Sequence, residues 1–311
     1  MTFYQQIASN KRRSLFVMFG FIAFITLAVY FMVVGFGFDP SYIWIALIAS
    51  GLMSFFSYYY SDKMVLSLSG AREANRQQDF MLYTVTENLC LAASIPMPKL
   101  YVIEDQAMNA FATGRDPQHA AVCATRGLLN KMDRTELEGV IAHELSHVRN
   151  YDTRLMSIVT ILVGLVALIA HWFLRMSAWG GGGNRNGRDR RGNNGQLQMI
   201  FFALGVFFAL FSPLIAQLIQ LAVSRQREYL ADASGVGLTK YPAGLARALQ
   251  ELEGDPNHLH TASNATAHLF IHSPFQTDQK TKTQRATNWF ANLFSTHPPI
   301  EDRIKRLEAL S

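Results

Sequence analysis

Two histidines and a glutamate, at His143, Glu144 and His147, form the pattern H-E-x-x-H. On an α-helix of about 3.6 residues per turn, residues four positions apart share one face, so both imidazoles point the same way. Two imidazoles at this spacing suit tetrahedral zinc and leave positions for a third protein ligand and a water molecule. Glu144 lies about 100° around the helix from His143, so all three residues fall on one side of the helix. The pattern predicts one zinc ion per chain; the alternative is a solvated helix face with two incidental histidines.

A pair of acids further along the chain, Glu228 and Asp232 in SRQREYLADASG, supplies a candidate third ligand. The two residues lie four positions apart and therefore share one helical face. We predict that Glu228 binds the metal and that Asp232 orients a ligand histidine through its free ring nitrogen. The alternative is a surface acid pair bound to Arg225 and Arg227.

Apolar runs surround both motifs. Hydrophobic residues make up 50% of the chain and charged residues only 16%, against about 25% charged residues in soluble domains. A helix rises about 1.5 Å per residue, so about 20 residues cross a hydrocarbon core of about 30 Å. The first two runs predict a membrane hairpin, and the last two predict a second hydrophobic hairpin. The four runs are Leu15–Phe38, Tyr42–Tyr60, Leu155–Leu174 and Met199–Val223.

Basic residues set the predicted orientation. Lys11–Arg13 precede the first hairpin and Lys63 and Arg72 follow it, which places both ends in the cytoplasm by the positive-inside tendency. The arginine-rich loop Gly180–Gly195 opposes this rule if both later runs cross the bilayer. Either the rule fails locally or this pair is a re-entrant or surface hairpin, and in both cases its ends return to one side. The net charge of +5 comes without a basic patch interleaved with aromatic residues, so we expect no nucleic-acid partner.

The remaining segments predict a soluble unit. KLYVIE is typical of a strand, and NAFATG and AAVCAT predict a β-hairpin. Asp133 and Glu136 have capping-box spacing ahead of the H-E-x-x-H helix. We predict an α+β fold in which a small antiparallel sheet and several helices are joined to transmembrane helices. The expected parts are an N-terminal transmembrane hairpin (1–61), the first part of a zinc protease domain (62–152), a second hydrophobic hairpin (153–223, with the loop at 180–195) and the second part of the protease domain (224–311).

Six sequence blocks in a fixed order carry a family resemblance. They are Ser69–Arg76, Met108–Thr125, Arg134–Asp152, Ser224–Gly235, Thr266–Phe275 and Ser295–Leu307. The chain resembles the HtpX family of membrane zinc metalloproteases, relatives of the CAAX prenyl protease within the gluzincin group. The resemblance implies a helical gluzincin-like domain in the bacterial inner membrane, with its active site facing the cytoplasm. It also implies zinc ligands at His143, His147 and Glu228 and a catalytic base at Glu144.

Two residues near the C-terminus have predicted supporting roles. The resemblance places His297 near the cleft, where we expect it to donate a hydrogen bond to the developing oxyanion. The alternative is a histidine that fixes a turn before two prolines. We expect Arg303 to orient an acid such as Asp232 or Asp302; a surface ion pair is its alternative.

The segment NAFATG resembles the edge strand along which such proteases bind an extended peptide by β-addition. Asn109 is expected to fix the peptide backbone, in a strand that continues through Ala110, Phe111 and Ala112. The two alanines keep the approach uncluttered. The alternative is an ordinary core strand.

Four other polar residues receive no metal role. On a straight helix Asp152 lies about 180° from His143, so we expect it to end the helix or to pair with an arginine. We interpret His171 as a lone interfacial histidine, and His268 and His272 as structural.

The function predicted from these residues is a membrane zinc endopeptidase that cleaves membrane or misfolded proteins near the cytoplasmic surface, in protein quality control. Its partners are protein substrates and the lipid bilayer. A zinc-binding scaffold without turnover is a second hypothesis, although it has no use for Glu144. A channel would need more polar residues in the apolar runs, and a prenyl-protein protease would favour more than four runs.

Overall fold

The computed structural model is mainly helical, with one small sheet. Its described residues are 3–36, 39–179, 199–200, 203–204, 206–207, 225–260, 266–272 and 298–310. The helices are α1 (Phe3–Phe36), α2 (Ser41–Leu68), α3 (Phe80–Ala93), α4 (Arg126–Lys131), α5 (Arg134–Arg149), α6 (Asp152–Trp179), α7 (Arg225–Thr239), α8 (Pro242–Gly254) and α9 (Ile300–Glu308). The predicted fold class, helices with a small sheet joined to membrane-competent helices, is confirmed.

Three of these helices contain stretches long and apolar enough to cross a membrane: Ile7–Tyr30 in α1, Ser41–Leu68 in α2 and Asp152–Ile169 in α6. They coincide with the first three predicted runs. The fourth run, Met199–Val223, and the loop Gly180–Gly195 lie almost wholly outside the described residues. Helix α1 also begins before its apolar run, because the polar turns ahead of that run pack against the start of α6 instead of against lipid.

Helix α2 shows how the membrane-competent helices pack. It contacts both α1 and α6. Its buried face carries small side chains, including Ser50, Ser54 and Ser57, whereas Trp44 and Phe55 are exposed. Small residues allow helix backbones to approach closely, and large exposed apolar side chains are favourable only against lipid or a partner. The side-chain distribution therefore matches a helix that is buried on one face and lipid-facing on the other.

The sheet has the order β1-β2-β4-β3, with strands β1 (Arg72–Glu73), β2 (Lys99–Ile103), β3 (Ala110–Gly114) and β4 (Ala120–Thr125). The predicted hairpin of β3 and β4 is confirmed as an antiparallel pair. The prediction of an all-antiparallel sheet is wrong, because β2 and β4 pair in parallel. Strand β3 folds to the outer side of β4, which leaves β4 beside β2 and running in the same direction. The sheet is therefore mixed.

Helix α5 packs among the shorter helices and contacts α3, α7 and α8. The predicted capping box starts this helix: the Asp133 carboxylate accepts from the Glu136 N–H at 2.8 Å, and the Glu136 carboxylate accepts from the Asp133 N–H at 2.9 Å. Gly235 allows α7 to approach α5, since a Cβ there would lie 3.1 Å from the backbone nitrogen of His143. This close approach sets the two motif-bearing helices side by side.

Candidate metal centre

Three buried side chains converge where α5 meets α7. The Nε2 atoms of His143 and His147 lie 3.2 Å apart, and the Glu228 carboxylate oxygens lie 3.7 Å from the first and 3.5 Å from the second. These ligand atoms all fall within 4.8 Å of one another. A small cavity beside them is lined by Glu144, Ala112, Thr153, Met156, Leu269 and Ile271. The structure therefore brings the two predicted histidines and the predicted carboxylate together at one point.

The donor set fits a tetrahedral cation. Metal–ligand bonds of about 2.0–2.2 Å at tetrahedral angles separate the ligand atoms by about 3.3–3.6 Å. The two Nε2 atoms lie 3.2 Å apart, and each faces its own Glu228 oxygen, His143 facing Oε2 at 3.7 Å and His147 facing Oε1 at 3.5 Å, so each separation is close to this range. In addition, the Nδ1 atom of each histidine faces a carboxylate and must carry a hydrogen, so in the neutral rings the two Nε2 lone pairs face each other. A cation bound by both nitrogens would remove that repulsion.

The His143 ring is held from behind by a buried ion pair. Its Nδ1 atom lies 2.9 Å from the Asp232 carboxylate. Arg303, which is 0% exposed, donates to the same carboxylate through Nη2 at 2.7 Å and Nε at 2.9 Å. Burial alone would raise the pKa of Asp232, but the Arg303 guanidinium and the hydrogen bond with His143 outweigh it and lower the pKa to about 2. Of the two acids predicted for Arg303, the structure pairs it with Asp232.

The His147 ring is held by Asp152, which the sequence prediction placed away from the site. The Asp152 carboxylate lies 3.1 Å from His147 Nδ1. The straight helix that underlies the placement 180° from His143 does not continue to Asp152, although Asp152 is not among the residues that could bind the metal. Helix α5 ends at Arg149, and Tyr151 adopts a left-handed conformation with φ 61°, which turns the chain back and directs Asp152 to the histidine. The expected pairing with an arginine also occurs, since Arg227 Nη1 lies 3.5 Å from the other carboxylate oxygen.

Carboxylates determine the protonation of His147. Burial alone would lower its pKa, but Glu228, Asp152 and Glu144 outweigh that effect and raise the pKa to about 9. Glu144 is 3% exposed and lines the cavity beside both histidines. His297 lies outside the described residues, so its predicted role stays a prediction.

The predicted substrate strand is partly covered. Asn109 exchanges hydrogen bonds with the His272 backbone, at 2.9 Å to its oxygen and 3.3 Å from its nitrogen, and the Ala110 oxygen accepts from the Ile271 N–H at 2.9 Å. The Phe111 ring packs against Phe270, with centroids 5.1 Å apart. Only Ala112 of the four predicted residues lines the cavity beside the metal cluster.

Among the described residues, His143 and His147 are the histidines of the cluster, and the others do not join it. His268 is buried, and its Nε2 atom lies 3.0 Å from the Thr160 hydroxyl of α6. His171 is exposed on the same helix. Two further residues at the site were not predicted from the sequence: Asp152, and Asn10, whose side-chain amide donates to Asp152 at 2.7 Å. No local pattern signals Asn10, since this contact joins residues 142 positions apart.

Membrane-competent helices that converge on an H-E-x-x-H helix and an E-x-x-x-D helix define an integral membrane metallopeptidase. The sequence matches the family described as "Peptidase family M48" over residues 76–311. The chain belongs to this peptidase family.

Curated relatives extend the likeness to the whole chain. A "Protease HtpX homolog" from Thermoanaerobacter pseudethanolicus is 41% identical over 310 residues, covering 100% of this chain and 98% of the relative. Proteins of the same description from Tropheryma whipplei and Streptococcus uberis are 43% and 42% identical, covering 99% and 98% of this chain and 98% of each relative. A crystal structure of S. mikatae Ste24p is a more distant neighbour, with a TM-score of 0.48 and 18% identity, covering 98% of this chain and 67% of that one.

Proposed function

We propose that the protein is a zinc endopeptidase of the bacterial inner membrane that cleaves membrane or misfolded proteins at the cytoplasmic face, in protein quality control. The observation that carries this proposal is the meeting of two Nε2 atoms and one carboxylate, at 3.2 to 3.7 Å, beside a cavity lined by both histidines and by Glu144. In this proposal the protease domain consists of residues 62–152 and 224–311, and its zinc ligands are His143, His147 and Glu228.

Zinc bound to this set would lower the pKa of a bound water towards neutrality and polarise a peptide carbonyl. Glu144 takes the proton of the attacking water and delivers it to the leaving amine. Asp232 and Asp152 accept the Nδ1 hydrogens of the two histidines, which fixes the tautomer that leaves each Nε2 free to bind metal. His297 supplies a hydrogen bond to the developing oxyanion.

The substrate backbone runs along β3 at Ala112, the strand residue that lines the cavity with the histidines. Upstream positions at Asn109 and Ala110 are already paired with the Ile271–His272 backbone. Leu269 and Ile271 therefore form the wall against which substrate side chains pack. We expect Leu269→Ala to enlarge the space beside this wall, so that the enzyme cleaves next to larger substrate side chains. Mass spectrometry of the cleavage products measures this change.

Residues near the ends of the membrane-competent helices support the proposed position of the active site at a membrane surface. Arg154, two residues beyond Asp152, stacks over the rings of Tyr58 and Tyr151 at 5.3 and 5.0 Å. Arg115 stacks over Tyr59 at 5.2 Å. Tyrosines and basic residues are enriched at the membrane–water boundary, so this belt supports an active site level with the headgroups.

The test uses purified protein with an unfolded protein as substrate. We expect cleavage that stops on removal of zinc and a Glu144→Gln variant that keeps zinc while its rate falls by about 10²–10⁴-fold. Glu138→Gln is the matched control, because Glu138 lies on the same helix in a surface pair with Arg134 and should retain full activity. Cleavage that persists in Glu144→Gln would defeat the mechanism, and zinc binding without cleavage by wild type would identify a scaffold. Protease access to a C-terminal tag in spheroplasts tests the cytoplasmic orientation.

A further inference from the structure

The side chain of Asn10, in the first membrane-competent helix, contacts the residues that join α5 to α6. It is 3% exposed, and its side-chain amide donates to the backbone oxygen of Asn150 at 2.9 Å and to Asp152 Oδ1 at 2.7 Å. Both acceptors lie in the junction between α5 and α6. Asn10 also lies outside the 76–311 segment that matches the peptidase family. A residue beyond the family segment thus reaches the metal centre.

The Asp152 carboxylate connects Asn10 to a metal-ligand position. One carboxylate oxygen accepts from Asn10, and the other lies 3.1 Å from His147 Nδ1. Arg227 Nη1 is 3.5 Å from the first oxygen, a longer contact than that of the amide. With one oxygen fixed by the amide, the plane of the carboxylate is set, and the direction of the second oxygen towards the imidazole follows.

The backbone at this junction needs external support. Tyr151 adopts a left-handed conformation with φ 61°, which is unfavourable for a bulky residue because its Cβ crowds the following carbonyl oxygen. Asn10 donates to the residues on either side of Tyr151, which are Asn150 and Asp152. The Lys11 ammonium lies 4.4 Å from the centroid of the Tyr151 ring. Two consecutive residues of α1 therefore clamp the three residues that turn the chain from α5 into α6.

We propose that Asn10 is a positioning residue of the metal centre, acting through Asp152 on the His147 ring. The proposal rests on the proposed zinc-ligand role of His147. Substitution of an outer partner of a metal-binding histidine typically lowers metal affinity about 10–100-fold. Because Asn10 acts one hydrogen bond further out, we expect Asn10→Ala to lower zinc affinity about tenfold, at the lower end of that range.

The experiment measures zinc affinity of the full-length protein in detergent by competition with a chromophoric chelator, without reference to peptide cleavage. Ser14→Ala is the matched control. Ser14 is buried one turn further along α1, and its hydroxyl donates to the Asn10 backbone oxygen, within the same helix. We expect Ser14→Ala to bind zinc within about twofold of wild type, whereas Asn10→Ala loses about tenfold. The visible spectrum of the cobalt-substituted protein should change in Asn10→Ala only.

A double-variant cycle separates positioning from a general effect on folding. If Asn10 acts through Asp152, Asn10→Ala lowers zinc affinity in wild type but adds nothing in an Asp152→Ala background. Asn10→Gln, which keeps an amide donor, should retain more zinc affinity than Asn10→Ala. Equal zinc affinity in wild type and Asn10→Ala, or additive losses in the double variant, would overturn the inference. Failure of wild type to bind zinc would instead overturn the proposed function.

Discussion

Arg303→Met tests whether the buried ion pair behind His143 stabilises the fold. Arg303 is 0% exposed and donates to Asp232 at 2.7 and 2.9 Å, and Asp232 is itself only 4% exposed. Removal of one partner of a buried pair leaves the other charge uncompensated and costs about 3–5 kcal/mol. Methionine keeps an unbranched apolar side chain like the stem of arginine but is shorter and offers no donor. We therefore expect Arg303→Met to lower the free energy of unfolding by about 3–5 kcal/mol.

Arg306→Met is the matched control, because it makes the same change nearly one turn further along α9. Arg306 is exposed, and its guanidinium carbon lies 3.8 Å from the centroid of the Tyr229 ring. An exposed cation–π contact contributes about 0.5–1 kcal/mol. The control should therefore lose several-fold less stability than Arg303→Met.

Urea unfolding of the detergent-solubilised protein measures both variants. Zinc is chelated throughout, because bound metal adds stability that depends on the site itself. The same preparations are then titrated with zinc. Arg303→Met should bind zinc more weakly, because Asp232 is no longer held by Arg303 in the position that orients the His143 ring. Equal losses of stability in the two variants, or a loss below about 1 kcal/mol in Arg303→Met, would refute the reasoning from burial.

Two further predictions concern helix packing and pH. Gly235→Ala should weaken zinc binding, because the new Cβ would lie 3.1 Å from the His143 backbone nitrogen. A Cβ at Gly237 would meet nothing within 4 Å, so Gly237→Ala should instead stabilise α7 by up to about 1 kcal/mol. Zinc titration and urea unfolding distinguish these outcomes, and weakened zinc binding in Gly237→Ala would contradict the packing argument. The hydrogen bond from Arg126 lowers the pKa of Glu104 in the folded protein to about 2. The ionised Glu104 therefore stabilises the fold above its unfolded pKa of about 4.3, and this stabilisation is lost as the pH falls towards 2. Glu104 is 51% exposed, so between pH 5 and pH 3 wild type should lose at most about 1 kcal/mol more than Glu104→Gln; identical acid unfolding curves would contradict the assignment.

The sequence predicts those parts of the site that depend on one helical turn. The spacing of His143 and His147 fixes their common face before any tertiary structure is known, and the same holds for Glu228 and Asp232. The capping box is equally local, since it involves residues three positions apart. That the two helices meet does not follow from either spacing; it depends on Gly235, whose missing side chain admits the backbone of α5.

The residues that the sequence did not reveal depend on a change of chain direction. Asp152 contacts His147 only because Tyr151 turns left-handed, a conformation that a tyrosine seldom adopts and that periodicity cannot predict. Asn10 follows from that same turn, since its acceptors are the residues on either side of it. The parallel pairing of β2 with β4 is likewise non-local, because β3 intervenes in the sequence but not in the sheet.

The buried charged groups around the cluster indicate the charge of the ion that would balance them. Among the described residues around the cluster, four carboxylates and two guanidinium groups are buried: Glu144, Asp152, Glu228, Asp232, Arg227 and Arg303. With neutral imidazoles this leaves two uncompensated negative charges, a costly arrangement away from water that a divalent cation neutralises and a monovalent one does not. The same excess of negative charge raises the pKa of His147 to about 9 despite its burial, because Glu228, Asp152 and Glu144 favour its protonated form. In the proposed metal site, the two histidines and Glu228 would set the geometry of the ion, and the surrounding acids and arginines would favour a divalent charge.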